Sequence, residues 1–303
     1  MIKVDSVSKN FDDVKSLCGV TLNIGDGSVF GLIGSNGSGK STLLRIISGI
    51  YKPSAGNVCI DDDAVYENPC VKEKIAYLSD DQYFISGGTI YDMMKLYQSV
   101  YPTFSQEKYK KYLTLFELDE NRKLSTFSKG MQKQAAFLLG LACNTDYLLC
   151  DETLDGLDPM MRIIARKIVA SEVAERGITV IFASHNLNEI EDICDHVALL
   201  HKGKLLFEAG LDEIKTGIHK VQLSFNKESI ADGKRQLEEL DTVSLNQRGS
   251  LFTVIVRGDE KYIDDYMRSL NPVFVEFIPL TLEEIFIAEM EERGYEFNDK
   301  LNS

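Results

Sequence analysis

Residues Gly34-Ser35-Asn36-Gly37-Ser38-Gly39-Lys40-Ser41 match the spacing G-x-x-x-x-G-K-[ST] in full. Each residue type has a reason to be there. Glycines let successive main-chain N–H groups turn toward phosphate oxygens with no Cβ in the way. A helix opening near Lys40 aims its positive end at the same anion. Lys40 then reaches the β- and γ-phosphates, the Ser41 hydroxyl is a ligand for Mg²⁺, and Thr42 completes the contact set. The bland alternative is a Gly-rich turn joining a strand to a helix. A chance match to this spacing in ~300 residues is about a one-per-cent event on average residue usage.

Two further sites carry acid–base types. Asp151-Glu152 follows the apolar run Tyr147-Leu148-Leu149-Cys150. A carboxylate there is placed to hold Mg²⁺ beside the phosphate loop. The adjacent Glu152 points elsewhere and can polarise an attacking water. His185 follows Ile178-Thr179-Val180-Ile181-Phe182-Ala183, where a neutral imidazole can contact the γ-phosphate or orient that water. Taken alone, an acidic pair after an apolar run is usually a solvated turn, and a histidine there is usually structural. The phosphate loop shifts both readings toward function. His196, His201 and His219 read as surface or core residues.

The elements that must position these residues are legible from pattern. Val29-Phe30-Gly31-Leu32-Ile33 reads as a buried strand running into the glycine loop, and Lys40 to Ile47 as a helix stopped at Gly49. Lys52-Pro53-Ser54-Ala55-Gly56 is turn chemistry before a strand at Val58 to Ile60. Residues from about 88 to 141 are helix-rich. Asp158-Pro159 opens a long helix that Gly177 ends, and Asn186 with Glu189 marks the next helix start. Strands apolar throughout and alternating with helices predict a mostly parallel α/β sheet covered on both faces. Ligands of such sheets bind beyond the strands' carboxyl ends, so Gly34–Ser41, Asp151-Glu152 and His185 should converge on one edge. After about Thr216 the pattern changes to alternating strands, Val221–Phe225 and Leu251–Val256. A Thr281/Glu284 capping box then opens an amphipathic helix carrying Leu282, Ile285, Phe286 and Met290. The expected domains are 1–216, with its helical part at about 88–141, and a small α+β domain at 217–303.

Composition narrows the field. With 33 basic and 47 acidic residues among 303, the net charge is −14, and no Lys/Arg run offers a phosphate-backbone patch, so nucleic acid is not an expected partner. No apolar stretch is long enough to span a bilayer, and the N-terminus has no secretory h-region. The six cysteines form no C-x-x-C pair and read as reduced, mostly buried small hydrophobes.

The order of these motifs resembles the ATP-binding cassette (ABC) ATPases over roughly residues 1 to 210. The most discriminating piece is Phe127-Ser128-Lys129-Gly130-Met131-Gln132, which is similar to the family's signature in an S-K-G-M form. The resemblance implies a P-loop NTPase fold with a helical subdomain. It also implies that Ser128, Lys129, Gly130 and Met131 face the γ-phosphate held by a second cassette, so that a homo- or heterodimer encloses two ATP with Mg²⁺. Phe11 falls where the family stacks an aromatic on adenine, its alternative being a core aromatic. Asp158, in Gly156-Leu157-Asp158-Pro159, matches the D-loop aspartate, and His185 the switch histidine.

Three positions depart from the family pattern. A glutamine usually follows the strand that here reads Ile75-Ala76-Tyr77-Leu78. This chain has Ser79-Asp80-Asp81-Gln82 instead, so either Asp80 offers an oxygen to Mg²⁺ or Gln82 takes the role through a shifted loop. Thr153 stands where proline is usual, and Gln134 where arginine is common. The resemblance implies an ATPase subunit driving a separate transmembrane permease, peripheral on the cytoplasmic face of the membrane. The S-K-G-M form and the small tail resemble cassettes of bacterial exporters. The competing reading is an ABC ATPase of a soluble assembly or regulatory complex.

Overall fold

Where the sequence runs apolar without alternation, the chain buries strands on both faces. Every residue of Val29–Ile33, Tyr147–Asp151 and Thr179–Ser184 is buried, as expected of a sheet covered by helices on both sides. The computed structural model describes residues 1–226 and 228–292. Its first elements are β1 (Ile2–Phe11), β2 (Val14–Ile24), β3 (Val29–Ile33), α1 (Lys40–Ile47), β4 (Ala55–Ile60), β5 (Asp63–Ala64), α2 (Pro69–Lys72) and β6 (Ile75–Leu78). Three helices follow, α3 (Ile90–Val100), α4 (Gln106–Leu115) and α5 (Lys129–Ala142). Next come β7 (Tyr147–Asp151), α6 (Pro159–Arg176), β8 (Thr179–Ser184), α7 (Leu187–Glu191), β9 (His196–His201) and β10 (Lys204–Gly210).

The central sheet has the order β10-β9-β3-β8-β7-β6, with parallel pairing from β6 through β7, β8 and β3 to β9. Non-consecutive neighbours in this order require helical crossovers. They also bring the carboxyl ends of β3, β7 and β8 side by side. A second, antiparallel sheet, β2-β1-β4-β5, stands beside the first. The two share a core in which Leu43, Leu44 and Ile47 of α1 pack among Ile2, Leu22, Phe30, Leu149 and Ile181. Helix α6 begins and ends as its sequence predicts. Asp158 accepts a hydrogen bond from the Met161 N–H at 3.0 Å, Pro159 occupies the first turn, and Gly177 closes the helix at φ 67°. Asn186 behaves differently. Its side chain makes no cap bond and instead donates to Glu189 at 3.0 Å.

The first compact unit is Met1–Ala209 and the second begins at Gly210. The division falls ahead of the expected 216 because helix α8 (Leu211–Gly217) stays with the strand that follows it. The second unit continues with β11 (Ile218–Ser224), α9 (Ile230–Leu237), β12 (Thr242–Arg248), β13 (Leu251–Arg257), α10 (Glu260–Ser269), β14 (Phe274–Ile278) and α11 (Leu282–Glu292). Its antiparallel sheet has the order β12-β13-β11-β14. Val221, Leu223, Phe252, Val254 and Val256 form its core with Ile263 and Met267 of α10. The capping box of α11 is formed, Glu284 N–H to Thr281 Oγ1 at 3.3 Å and Thr281 N–H to Glu284 Oε2 at 3.1 Å. The side chain of Met290 lies outside the described residues. All six cysteines are free thiols, with Cys143, Cys150 and Cys194 buried.

Candidate functional site

Strand β3 delivers the chain into the glycine loop and α1 takes it out. Lys40, 5% exposed, folds back over the loop and donates to the carbonyls of Gly34 at 2.8 Å and Ser35 at 3.3 Å. Gly39 has φ 109°, and a Cβ there would lie 2.7 Å from the Ser16 carbonyl oxygen, so only glycine fits this entry to the helix. The Ser38 hydroxyl is buried and has no partner among the described residues. An orphaned donor in such a loop is what a phosphate oxygen satisfies.

Asp151, at the end of β7, is fully buried. It accepts from the Ser41 hydroxyl at 2.9 Å and from the Tyr77 hydroxyl at 3.1 Å. Burial pushes its carboxyl above the ordinary range, with the two hydroxyls acting in the opposite direction. A buried carboxylate with neutral hydrogen-bond donors, beside a serine oxygen, is a set of hard ligands that fits a divalent cation such as Mg²⁺.

Glu152 sits at φ 51°, a left-handed conformation that non-glycine residues adopt at a cost of about 1–3 kcal/mol and that concentrates at functional sites. Its N–H donates to the Ala183 carbonyl at 2.9 Å. The carboxylate then divides its contacts, Oε1 lying 3.6 Å from Lys40 Nζ and Oε2 2.7 Å from His185 Nδ1. Asp155 joins from the following loop, Oδ2 at 3.5 Å from the same imidazole nitrogen. Burial, and after it the facing Asp155, raise Glu152 to about 7. Burial opposes ionisation of Asp155 as well, but hydrogen bonds to Glu152 and Glu189 outweigh it and hold Asp155 below the carboxylate range. Of these two facing carboxyls Glu152 is the one raised and Asp155 the one held down, so Glu152 is the group able to exchange a proton near neutral pH.

These groups face one cavity of about 470 Å³, lined by Asn36 through Thr42, Asp80, Asp151, Glu152 and His185. The three sequence-distant sites do converge on one sheet edge. Five further residues share the lining: Ser16, Arg45, Asp81, Lys133 and Asp155. Ser16 donates to Thr42 Oγ1 at 2.8 Å. Lys133, on α5, donates to Asp80 Oδ1 at 2.9 Å and to the Glu152 carbonyl at 2.6 Å. No motif flags these residues. For Asp155 the available signal was its place in the turn right after the acidic pair, and for Lys133 there was no local signal.

Other expected residues lie outside this lining. Phe11 is 39% exposed, edge-on to Tyr51 at 5.4 Å, so it is not a core aromatic. Gln82 turns back to the Ser79 carbonyl, away from the cavity. Ser128 caps α5, accepting from the Met131 N–H at 3.2 Å, and is exposed with Lys129. A Cβ on Gly130 would come 2.9 Å from the Gly156 carbonyl oxygen, which seats the signature turn against the loop leading to Asp158. Gln134 is buried.

Comparison with known proteins agrees with this geometry. The ABC transporter family model matches residues 17–155. The ABC transporter ATP-binding protein YtrB of Bacillus subtilis (strain 168) is 31% identical over 289 residues, covering 95% of this chain and 98% of YtrB. The bacitracin transport ATP-binding protein BcrA of Bacillus licheniformis is 29% identical over 71% of each chain. Among solved structures, the dimeric post-hydrolysis cassette MJ0796 bound to ADP and Pi superposes with a TM-score of 0.63 at 26% identity, covering 70% of this chain and 99% of that one. Because YtrB matches from end to end and not through the phosphate loop alone, the chain belongs to the ABC transporter ATP-binding proteins and is an ATP-hydrolysing cassette.

Proposed function

We propose that this cassette drives a separate transmembrane permease, that it acts as a dimer closing on two nucleotides at the cytoplasmic face of the membrane, and that transport runs outward. The carrying observation is the convergence of Ser41–Asp151 and Glu152–His185 contacts on the single cavity behind the glycine loop. No helix among the described residues is long and apolar enough to cross a membrane, which motivates the separate permease. BcrA, one of the relatives, is a bacitracin transport ATP-binding protein. The outward direction rests on the S-K-G-M form of the signature and on the small second unit.

Lys40, the loop amides and the Ser38 hydroxyl hold the β- and γ-phosphates, positioned by α1 at its positive end. Ser41 and Asp151 are the residues that would hold Mg²⁺, whose charge, when bound, offsets that of the phosphate oxygens. Glu152 accepts the proton of the attacking water through Oε2 or Oε1. His185, hydrogen-bonded to that carboxylate, fixes its direction and reaches the γ-phosphate. Ser128 at the head of α5 in the second cassette presents that helix's N–H groups to the same phosphate, so closure requires nucleotide, and hydrolysis releases it. Phe11 supplies the aromatic face for adenine, and Asp158 meets the opposite cassette.

Mass measurement of the Glu152→Gln protein with and without MgATP tests this. The expected result is a nucleotide-dependent doubling of mass. A protein that stays monomeric with ATP, and for which no second cassette subunit can be found, overturns the dimer reading.

A further inference from the structure

Lys133 lies in the nucleotide cavity but belongs to none of the motifs that define it. Its side chain is 15% exposed, and its ammonium has two acceptors of different kinds, the Asp80 carboxylate and the main-chain carbonyl of Glu152. The second contact is the informative one. Glu152 is held in a left-handed conformation, and both of its main-chain polar groups are tied, the N–H to Ala183 of β8 and the carbonyl to Lys133 of α5. Release of the carbonyl would free the peptide that aims the Glu152 side chain and starts the turn to Asp155.

The placement of Lys133 follows from the packing of α5. Residues 133 and 140 share a helix face, and at Gly140 a Cβ would stand 2.8 Å from Leu78 Cδ2. Helix α5 is therefore seated on the last residue of β6, and Asp80 follows just beyond it. Charge explains the pairing. Asp80 and Asp81 line a cavity that receives a triphosphate, and an unneutralised carboxylate there would repel it. The Asp80 side chain is 57% exposed, so the ion pair itself contributes little to folding. Its consequence is positional.

We infer that Lys133 is a positioning residue for hydrolysis: from α5 it clamps the main chain of Glu152 and neutralises Asp80, which is an internal ion-pair partner and not a metal ligand. This rests on the assignment of Glu152 as the base and deepens it. It makes the α5 helix, whose N-terminus is the signature turn, a direct support of the hydrolytic glutamate in the same chain. A shift of α5 would then change the aim of Glu152.

The test uses the full chain and compares Lys133→Gln, Lys133→Arg, Asp80→Asn and the Lys133→Gln/Asp80→Asn double. Lys133→Gln is expected to lower kcat by about tenfold or more, as misplacement of a reacting group does. ATP binding in EDTA should weaken much less than kcat falls, because the Asp80 carboxylate left unpaired is 57% exposed and screened by water, and Lys133→Arg should restore most of the loss. Hydrogen exchange of nucleotide-free protein should speed up at residues 152–155 in Lys133→Gln. Asp80→Asn should leave the Mg²⁺ concentration for half-maximal turnover unchanged and add nothing to Lys133→Gln. The exposed Asp80→Lys variant, which sets a like charge against Lys133, provides the same readout should Lys133→Gln fold poorly. Unaltered kcat and exchange in Lys133→Gln or Asp80→Lys overturn the clamp. A raised Mg²⁺ requirement in Asp80→Asn, independent of residue 133, overturns it in favour of a metal ligand. Glu152→Gln run alongside separates the two levels: if it retains turnover, the assignment of the base has failed, whereas its loss with an active Lys133→Gln rejects only the clamp.

Discussion

The cradle wall and the carboxylate wall of the nucleotide cavity are held in different ways. The cradle is one continuous segment, Gly34 to Thr42, shaped by main-chain conformation and closed by the Lys40 contacts to its own carbonyls. The carboxylate wall is assembled from four places. Asp151 and Glu152 come from the end of β7, Asp155 from the turn beyond, His185 from the end of β8, and Lys133 from α5. The first wall, the proposed phosphate holder, has a shape set locally by its own segment. The second depends on the relative placement of elements, so it is the part that a conformational change can switch on and off. Binding and hydrolysis should therefore be separable by mutation.

The largest separation is expected from Glu152→Gln. Loss of a general base lowers turnover by about 10²–10⁴-fold, and ATP affinity should be retained because the cradle is untouched. Single-turnover hydrolysis beside equilibrium ATP binding measures both. Equal losses in the two would merge the walls into one unit. Lys40→Ala is the mirror case. Lys40 is buried and lies between the Gly34 carbonyl and Glu152, so its removal takes away the one charged donor of the cradle. ATP binding should fall by about 100-fold or more with the fold intact. Unchanged binding would contradict the assignment of the cradle.

A smaller effect sharpens the electrostatics of the second wall. As the proposed base Glu152 must be deprotonated to act, and burial together with Asp155 raises its pKa to about 7. The kcat/KM for ATP, which reports the free protein, should therefore decline as pH falls through about 7. Asp155→Asn removes the facing negative charge, lowers the pKa of Glu152 and moves this acid limb to lower pH, leaving ATP binding near its original strength. A limb that stays in place would show that burial alone sets the titration.

The same contrast explains what could be read from the sequence. The cradle was legible because its chemistry sits in consecutive residues, and Asp151, Glu152 and His185 because each directly ends or follows an apolar strand. Strand order then required only that β3, β7 and β8 be neighbours. Lys133 and Ser16 were not legible. Each reaches the cavity by a tertiary contact, Lys133 across from α5 and Ser16 through Thr42, and nothing in the local pattern of either segment distinguishes it from a surface residue. The Asn186/Glu189 pair does mark the start of α7, with Asn186 at its N-cap, but without the side-chain cap bond. The spacing matched a capping box, but Glu189 is buried against Arg162 at 3.1 Å, which draws the Asn186 side chain to the carboxylate and away from the helix N–H groups.

The smallest effect on the cavity should come from a charged cluster outside both walls. Glu172 of α6 is 2% exposed and meets Lys108 at 2.6 Å, together with Tyr112 of α4 and Arg176 of its own helix. Burial opposes its ionisation, but these three donors outweigh that and hold its carboxyl below the ordinary range. The folded pKa is depressed, so the stability from this group is present above the ordinary glutamate value and lost as pH falls through the depressed one. Glu172→Gln keeps the shape and weakens three charge-assisted contacts, a loss of about 1–3 kcal/mol. The thermal midpoint should fall and lose part of its dependence on acid pH. Turnover per folded molecule should stay within about twofold, because none of the donors lines the cavity. A large drop in turnover at unchanged ATP affinity would mean that the α4–α6 tie also sets the position of α5, and would extend the carboxylate wall into the helical segment.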